Sequence, residues 1–165
     1  MLAVTDTSPL HYLILIGQVE LLPRLYERVM LPPAVMGELL HPSTPPEVRA
    51  WVRALPSWCE TRQPHQAIPG DLCRLGAGER EAIMLVEELH AGIFLVDDDA
   101  GRKAARQRAL PLTGTFGILG TAGERDWVDF PAVLAQLQAT TFRMPPPAVV
   151  QAMLARYATR KRQST

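Results

Sequence analysis

The stretch "AVTDTSPLHYL" at residues 3–13 joins an apolar run to a segment of helical period through one acid, three hydroxyls and a proline. The apolar run predicts a strand, and the segment after it predicts a helix that begins beside Pro9. Asp6, Thr7 or Ser8 is a natural cap for that helix, because a short polar side chain accepts hydrogen bonds from the unpaired amides of a first turn. One cap is enough, so the rest of the chain decides whether Asp6 has a second role.

The composition favours one domain that needs no metal or disulfide for stability. The chain has 165 residues, 47% of them apolar, which is enough to bury a core. Cys59 and Cys73 form no CxxC motif and have no paired Cys/His set, which favours reduced thiols over a disulfide or a zinc site. No signal-peptide pattern and no apolar run of membrane-spanning length is found, so we expect a cytoplasmic protein without membrane contact.

The charge balance limits the classes of partner. Lys plus Arg and Asp plus Glu number 17 each, so the formal net charge is zero. This argues against a protein that coats nucleic acid by bulk charge. Basic residues are nevertheless concentrated at 101–108 and 156–163. In the first of these stretches Arg102 and Arg106 lie one helical turn apart, which favours either a phosphate-binding ridge or a solvated helix face.

Short apolar runs alternate with longer segments of helical period along the chain. Strands are predicted at 2–4, 28–31, 58–62, 93–96 and 110–115, the last one leading into Gly-rich turns. Helices are predicted at 9–26 (one helix, or two separated near Gly17), 32–40, 45–55, 78–90, 99–109, 131–140 and 147–158, with 160–165 as a frayed tail. Short apolar strands separated by helices indicate an α/β fold with a parallel sheet covered on both faces. In such folds the ligand site lies beyond the carboxyl ends of the strands.

Acids follow two of the predicted strands at that end. Asp6 follows the first strand, and three consecutive aspartates follow the strand at 93–96. Asp99 is the natural cap of the next helix, which leaves Asp97 and Asp98 without a structural role. We expect their mutual repulsion to raise their pKa values unless a cation neutralises them.

Three glutamates add to these aspartates, one beside the apolar face of a helix and two at the start of another helix. Glu38 lies at the edge of a stripe defined by Val35, where it either reaches solvent or needs a partner. Glu79 and Glu81 lie in a first helical turn, which the helix dipole alone can explain, yet Glu79 points inward and Glu81 lies on the flank of the buried face. Together the six acids resemble a cluster of hard oxygen ligands for Mg²⁺ or Mn²⁺, which supports phosphoryl transfer to water.

Several segments together resemble a known family. The segments are "VTDTSPLHYLILIGQVELLPRLY", "LPPAVMGELL", "LGAGEREAIMLVEEL", "FLVDDDAGRKAAR" and "LPLTGTFGIL". Their order and spacing are similar to those of PIN-domain proteins, in particular an uncharacterised prokaryotic subgroup near the VapC-type toxins. The resemblance implies a three-layer α/β sandwich with a central parallel sheet of about five strands and C-terminal helices. It implies a nuclease domain at 1–140, with 141–165 as a helical extension of the same domain.

The resemblance also implies a function and a site. PIN domains of this kind are Mg²⁺- or Mn²⁺-dependent ribonucleases that hydrolyse single-stranded or structured RNA, and the toxin members are neutralised by a small antitoxin and commonly form homodimers. The implied catalytic residues are Asp6, Glu38, Glu81 and Asp98; the implied metal ligands are these four with Glu79 and Asp97; the implied supporting hydroxyls are Thr7 and Ser8. The chain has paired acids where the toxins more often have one Asp at the third site and a Thr ahead of the fourth, so the ligand within each pair stays open.

Two alternatives remain beside the ribonuclease. The first is an RNA- or protein-binding relative with weak or no nuclease activity. A phosphatase or nucleotide-binding domain is disfavoured because the chain has no Gly-rich phosphate loop. At the C-terminal end, Val149, Met153 and Tyr157 form an apolar stripe that either supports a homodimer or packs back on its own domain.

Overall fold

The fold is a five-stranded parallel sheet flanked by helices, seen in a computed structural model that describes residues 1–163. The strands are β1 (Leu2–Thr5), β2 (Arg28–Leu31), β3 (Cys59–Thr61), β4 (Ile93–Leu95) and β5 (Leu112–Thr113). Their spatial order is β3-β2-β1-β4-β5, and every neighbouring pair is parallel. The predicted α/β class, with about five parallel strands and a central first strand, is confirmed.

The sheet is buried on both faces, as its apolar strands require. Ala3, Val4 and Thr5 of β1 are completely buried, and so are Phe94 and Leu95 of β4. The chain leaves β1 in one direction to form β2 and β3, and returns to the other side of β1 to form β4 and β5. The direction of winding therefore changes between β1 and β4, and in open parallel sheets the crevice at such a point binds ligands.

The first 114 residues form one compact unit that contains the sheet. Its helices are α1 (Thr7–Leu15), α2 (Leu21–Leu25), α3 (Pro33–Leu39), α4 (Pro46–Arg53), α5 (Ala77–Glu88) and α6 (Asp99–Gln107), with a 3₁₀ turn at Gly70–Leu72. The segment predicted as one helix or two is two, α1 and α2, and Gly17 lies between them at φ +67°. This left-handed conformation costs glycine little, which explains the break.

The chain from residue 115 onward forms a second compact unit. Its helices are α7 (Thr115–Glu124), α8 (Phe130–Gln138) and α9 (Pro147–Gln163). The prediction of Gly-rich turns after residue 115 was wrong, because the glycines of α7 form a helix with a small-residue face. A Cβ on Gly120 would lie 2.8 Å from Met153 Cε, so glycine lets α9 pack closely against α7. Such packing offsets the cost of about 1 kcal/mol that glycine imposes on a helix interior.

The C-terminal helix also differs from the prediction. Residues 160–163 were expected to fray, but they continue α9; Ser164 and Thr165, from the same predicted tail, lie outside the described residues. The apolar stripe of α9 packs within its own unit, where Tyr157 lies against Phe130 at a ring separation of 6.1 Å. Val149 remains 47% exposed. Among residues 1–163, no helix has both the length and the hydropathy needed to cross a bilayer.

Candidate metal centre

Asp6 is the buried acid at the carboxyl end of the central strand. It occupies the N-cap position of α1 and is only 4% exposed, yet its carboxylate makes no capping hydrogen bond to that helix. Burial raises the pKa of Asp6 to about 7; the Thr7 amide opposes this shift, and the charges of Glu38, Asp97 and Asp98 increase it. Helix capping therefore does not explain Asp6, and burial makes its charged form costly.

Glu38 lies beside the start of α1, although it belongs to α3. The Thr7 hydroxyl donates a hydrogen bond to Glu38 Oε2, and the Gly78 amide donates one to Glu38 Oε1 at 3.2 Å. A Cβ on Gly78 would lie 2.8 Å from Glu38 Oε1, so only glycine leaves room for the carboxylate there. The Thr7 hydroxyl thus bonds to one of the acids of the predicted site. Ser8 lies half-buried in the first turn of α1.

Asp98 follows β4 and begins α6. Its Oδ1 accepts hydrogen bonds from the amides of Ala100 at 2.7 Å and Gly101 at 3.3 Å, so Asp98 is the N-cap. The prediction that Asp99 caps this helix was wrong, because Asp99 is the first residue of the helix and the capping bonds go to Asp98 before it. Asp99 is still favourably placed, since the first turn of a helix attracts negative charge.

Glu79 and Asp98 form a hydrogen-bonded carboxyl pair. Burial and the bond to Asp98 raise the pKa of Glu79 to about 7, while the same bond lowers the pKa of Asp98. Of the two carboxyl groups, Glu79 therefore takes up a proton first as the pH falls, and the rise in pKa expected for Asp98 is wrong. Its Oε2 also accepts a hydrogen bond from the Gly76 amide at 3.0 Å, which fixes the side chain at the start of α5.

Glu81 faces a different neighbour, although it lies only two residues further along α5. Its Oε2 accepts a hydrogen bond from the Ala34 amide at 3.0 Å, in the first turn of α3. The structure thus brings Glu79 to Asp98 and Glu81 to α3.

Asp97 lies where β4 and β5 end. A Cβ on Gly114 would collide with Asp97 Oδ1 and would lie 3.2 Å from Arg102 Nη1, so these two side chains occupy the space that glycine leaves. The same Nη1 donates a hydrogen bond to the Val96 carbonyl at 2.8 Å. Arg102 is therefore tied to the end of the strand, whereas Arg106 is exposed on α6.

Sequence reasoning missed the glycines that shape this site. Gly78 and Gly114 lie where a side chain would collide with Glu38 and Asp97 respectively. The glycines of "GAGE" and "LTGT", each directly beside an acid or a strand end, were the available signal, since a glycine at such a place often marks a close approach of the backbone.

The acids fit a hard divalent cation in donor chemistry, because all of their donors are carboxylate oxygens. Within residues 1–163, no three Asp, Glu, His or Cys side chains are grouped closely enough to enclose an ion in the present side-chain arrangement. Their oxygens are instead bonded to amides, to a hydroxyl and to one another. The buried and uncapped carboxylate of Asp6, with three further acids raising its pKa, is the observation that favours a cation.

One comparison with known proteins identifies a family for this chain. Residues 2–158 match a family model described as a PIN domain. No curated protein matches the chain. PIN domains are commonly nucleases, hydrolases that generally use divalent metals. The match extends over almost the whole length of the sequence, from β1 into α9, and the chain belongs to the PIN-domain family.

Proposed function

We propose that this protein is a Mg²⁺- or Mn²⁺-dependent endoribonuclease. The observation that supports this most directly is Asp6, a buried carboxylate at the carboxyl end of β1 whose charge is opposed by Glu38, Asp97 and Asp98. A carboxylate in this position gains from a bound cation far more than a surface acid does, because burial makes its charge costly. A bound cation would therefore explain why several acids lie around the end of one strand.

The metal would be held by Asp6, Glu38, Glu79 and Asp98, with Asp97 beside them. When bound, it would neutralise the phosphate and lower the pKa of a water molecule. Thr7 and Gly78 hold the Glu38 carboxylate, and the amides of Ala100 and Gly101 hold that of Asp98. Both Glu79 and Asp98 must be deprotonated to act as ligands, since ligands of hard cations are deprotonated.

RNA phosphates would be contacted by α6, which begins at Asp98. Arg106 is exposed on this helix, one turn beyond Arg102. Arg102 is bonded to the Val96 carbonyl, so we assign it chiefly to the strand end and assign Arg106 to the phosphate. Contacts of this kind position the nucleic acid without reading its sequence.

A cleavage assay with matched variants tests the proposal. We expect the wild-type protein to cleave an end-labelled single-stranded RNA in Mn²⁺ and to stop when EDTA is added. Asp6→Asn should lose cleavage, while Glu20→Gln, a change at an exposed glutamate of the same unit, should retain it. Cleavage by Asp6→Asn at the wild-type rate would assign the activity to a contaminant or to another site.

A second candidate is a binding relative with weak or no nuclease activity. It is favoured by the present side-chain arrangement, in which the carboxylates bond to amides and to one another. A mobility-shift assay in Mn²⁺ tests this candidate. Binding of intact RNA by the wild type, and loss of that binding in Arg106→Ala, would support the binding protein over the nuclease.

The toxin role, a small antitoxin and a homodimer are proposals derived from the resemblance to the VapC-type toxins. Growth arrest on expression of the wild-type protein, but not of Asp6→Asn, would support the toxin role. A small protein encoded by a neighbouring reading frame that relieves the arrest would support the antitoxin.

The homodimer cannot use the whole predicted stripe of α9, because Met153 and Tyr157 pack against α7. Sedimentation of a single monomeric species would exclude it.

A further inference from the structure

Two neighbouring helices of the first unit have N-cap residues whose side chains cannot cap them. Helix α3 begins after Pro32 and α5 begins after Gly76, and neither residue has a side chain that can accept a hydrogen bond. The first amides of a helix need acceptors, because no carbonyl of the same helix reaches them. In α5, Glu79 Oε2 accepts a hydrogen bond from the Gly76 amide, but the amides of Ala34 in α3 and Gly78 in α5 depend on acceptors from outside their own helix.

Each helix takes that acceptor from the other one. Glu81 of α5 accepts a hydrogen bond from the amide of Ala34, the second residue of α3, at 3.0 Å. Glu38 of α3 accepts one from the amide of Gly78, the second residue of α5, at 3.2 Å. The two glutamates thus perform across the helix pair the capping that Ser or Asp usually performs within one helix.

We propose that Glu81 is a positioning residue for the metal centre and not one of its ligands. Its carboxylate fixes the first turn of α3, and Glu38 lies one turn further along the same face, four residues after Ala34. The inference rests on the proposed function, because it assigns Glu38 to a metal centre that the proposed function requires. It also says which of Glu79 and Glu81 is the ligand. Glu79 bonds to Asp98, whereas Glu81 bonds to the amide of Ala34.

The choice of a carboxylate has a physical reason. A charged acceptor at a helix N-terminus gains both a charge-assisted hydrogen bond and the favourable interaction with the helix dipole. Gln has an amide oxygen in the same place, so it preserves the hydrogen bond while it removes the charge. Ala removes both. A metal ligand differs from a cap in this respect, because a neutral amide is a poor replacement for a carboxylate on a hard cation.

The experiment compares Glu81→Gln, Glu81→Ala, Glu79→Gln and the exposed control Glu20→Ala. Thermal unfolding is measured first in EDTA, and then in a Mn²⁺ titration that gives a Kd from the rise in Tm. In EDTA we expect Glu81→Ala to lower Tm by about 2–4 °C, as loss of a cap does in a chain of this size. Glu20→Ala should remain close to the wild type, and Glu81→Gln should lie between the wild type and Glu81→Ala, because it keeps the hydrogen bond and loses the charge.

In the titration we expect Glu81→Gln to keep a Kd within about twofold of the wild type, because the hydrogen bond to α3 remains. Glu81→Ala should weaken Mn²⁺ binding about tenfold, as the loss of groups that orient a ligand commonly does. Glu79→Gln should weaken it at least as much, since it removes a ligand itself.

Two results would overturn the inference. One is a Kd for Glu81→Gln that rises as far as that for Glu79→Gln, which would make Glu81 a ligand. The other is a Glu81→Ala protein as stable in EDTA as Glu81→Gln, which would show that the bond to α3 does not hold the helix. If neither the wild type nor Glu79→Gln responds to Mn²⁺, the proposed metal centre fails instead, and the EDTA comparison still tests the capping.

Discussion

Asp6 is a residue whose burial and charge oppose each other. A carboxylate at the first position before a helix normally caps that helix, but Asp6 makes no capping hydrogen bond to α1 and is almost completely buried. Its pKa is raised to about 7, chiefly by burial. The protein therefore tolerates at Asp6 a charge that destabilises the metal-free fold, which is typical of functional sites.

The stability of metal-free protein should depend on this charge. The folded pKa of Asp6 lies above its usual 3.8, so the unfolded chain loses this proton first and stability falls as the pH rises from about 4 to about 7. The full shift corresponds to about 4 kcal/mol as an upper bound. We expect Asp6→Asn to be more stable than the wild type in EDTA at about pH 8, with a difference that shrinks toward about pH 5.

Urea unfolding at both pH values measures this difference, with Glu20→Gln as the control for the loss of an exposed charge. A wild type more stable than Asp6→Asn at the higher pH would show that Asp6 stabilises the helix after all.

At the scale of elements, the pair α3 and α5 decides where Glu38 lies. Each helix supplies a glutamate to the amino end of the other, and Gly78 lets the Glu38 carboxylate approach the backbone of α5. The geometry of the site thus depends on how these two helices pack, as well as on the sheet edge.

Two glycine-to-alanine changes should have opposite consequences for this pair. Gly37, on α3, has open space where a Cβ would lie, so Gly37→Ala should stabilise the protein by about 0.5–1 kcal/mol through helix propensity alone. At Gly78 a Cβ would lie 2.8 Å from Glu38 Oε1, so Gly78→Ala should displace the carboxylate. We expect it to weaken Mn²⁺ binding by about tenfold or more.

Denaturant unfolding and a Mn²⁺ titration of both variants test these two expectations, and Gly37→Ala is the matched control for the change in helix propensity. Equal Mn²⁺ affinities of Gly78→Ala and Gly37→Ala would show that the close approach at Gly78 does not matter for the site.

At the scale of the whole molecule, metal binding should appear as stability. A cation that binds only the folded state stabilises it by about 2.7 kcal/mol when present at a hundredfold excess over its Kd. We expect Mn²⁺ to raise Tm in a concentration-dependent way, and to do so more than Mg²⁺ at equal concentration, because Mn²⁺ gives up its bound water more readily. Ca²⁺ should bind without supporting cleavage.

Calorimetry of EDTA-treated protein with each cation measures the rise in Tm. We expect a smaller rise for Asp6→Asn than for the wild type. A Tm that none of the three cations moves, in a wild type that is folded, would contradict the metal centre.

The order of strands and helices was predictable from the sequence because it depends on local patterns. Apolar runs separated by helical periods indicate a parallel sheet, and the carboxyl ends of such strands share one edge. Asp6 and the aspartates at 97–99 follow two of these runs, so their place at this edge of the sheet follows from the sequence alone. Helix α7 was missed, because its glycines argue against a helix unless the helices that pack on them are known.

Only the tertiary structure determined which partner each acidic side chain faces. Glu79 and Glu81 are two residues apart in one first turn. The helical period turns Glu79 inward and Glu81 to the flank, but it does not reveal that one bonds to Asp98 and the other to α3. Asp98 caps α6 in place of Asp99 because of where the chain leaves β4. The sequence determines which chemical groups reach this end of the sheet, whereas helix packing determines which oxygens face one another, since side-chain direction depends on neighbours far away along the chain.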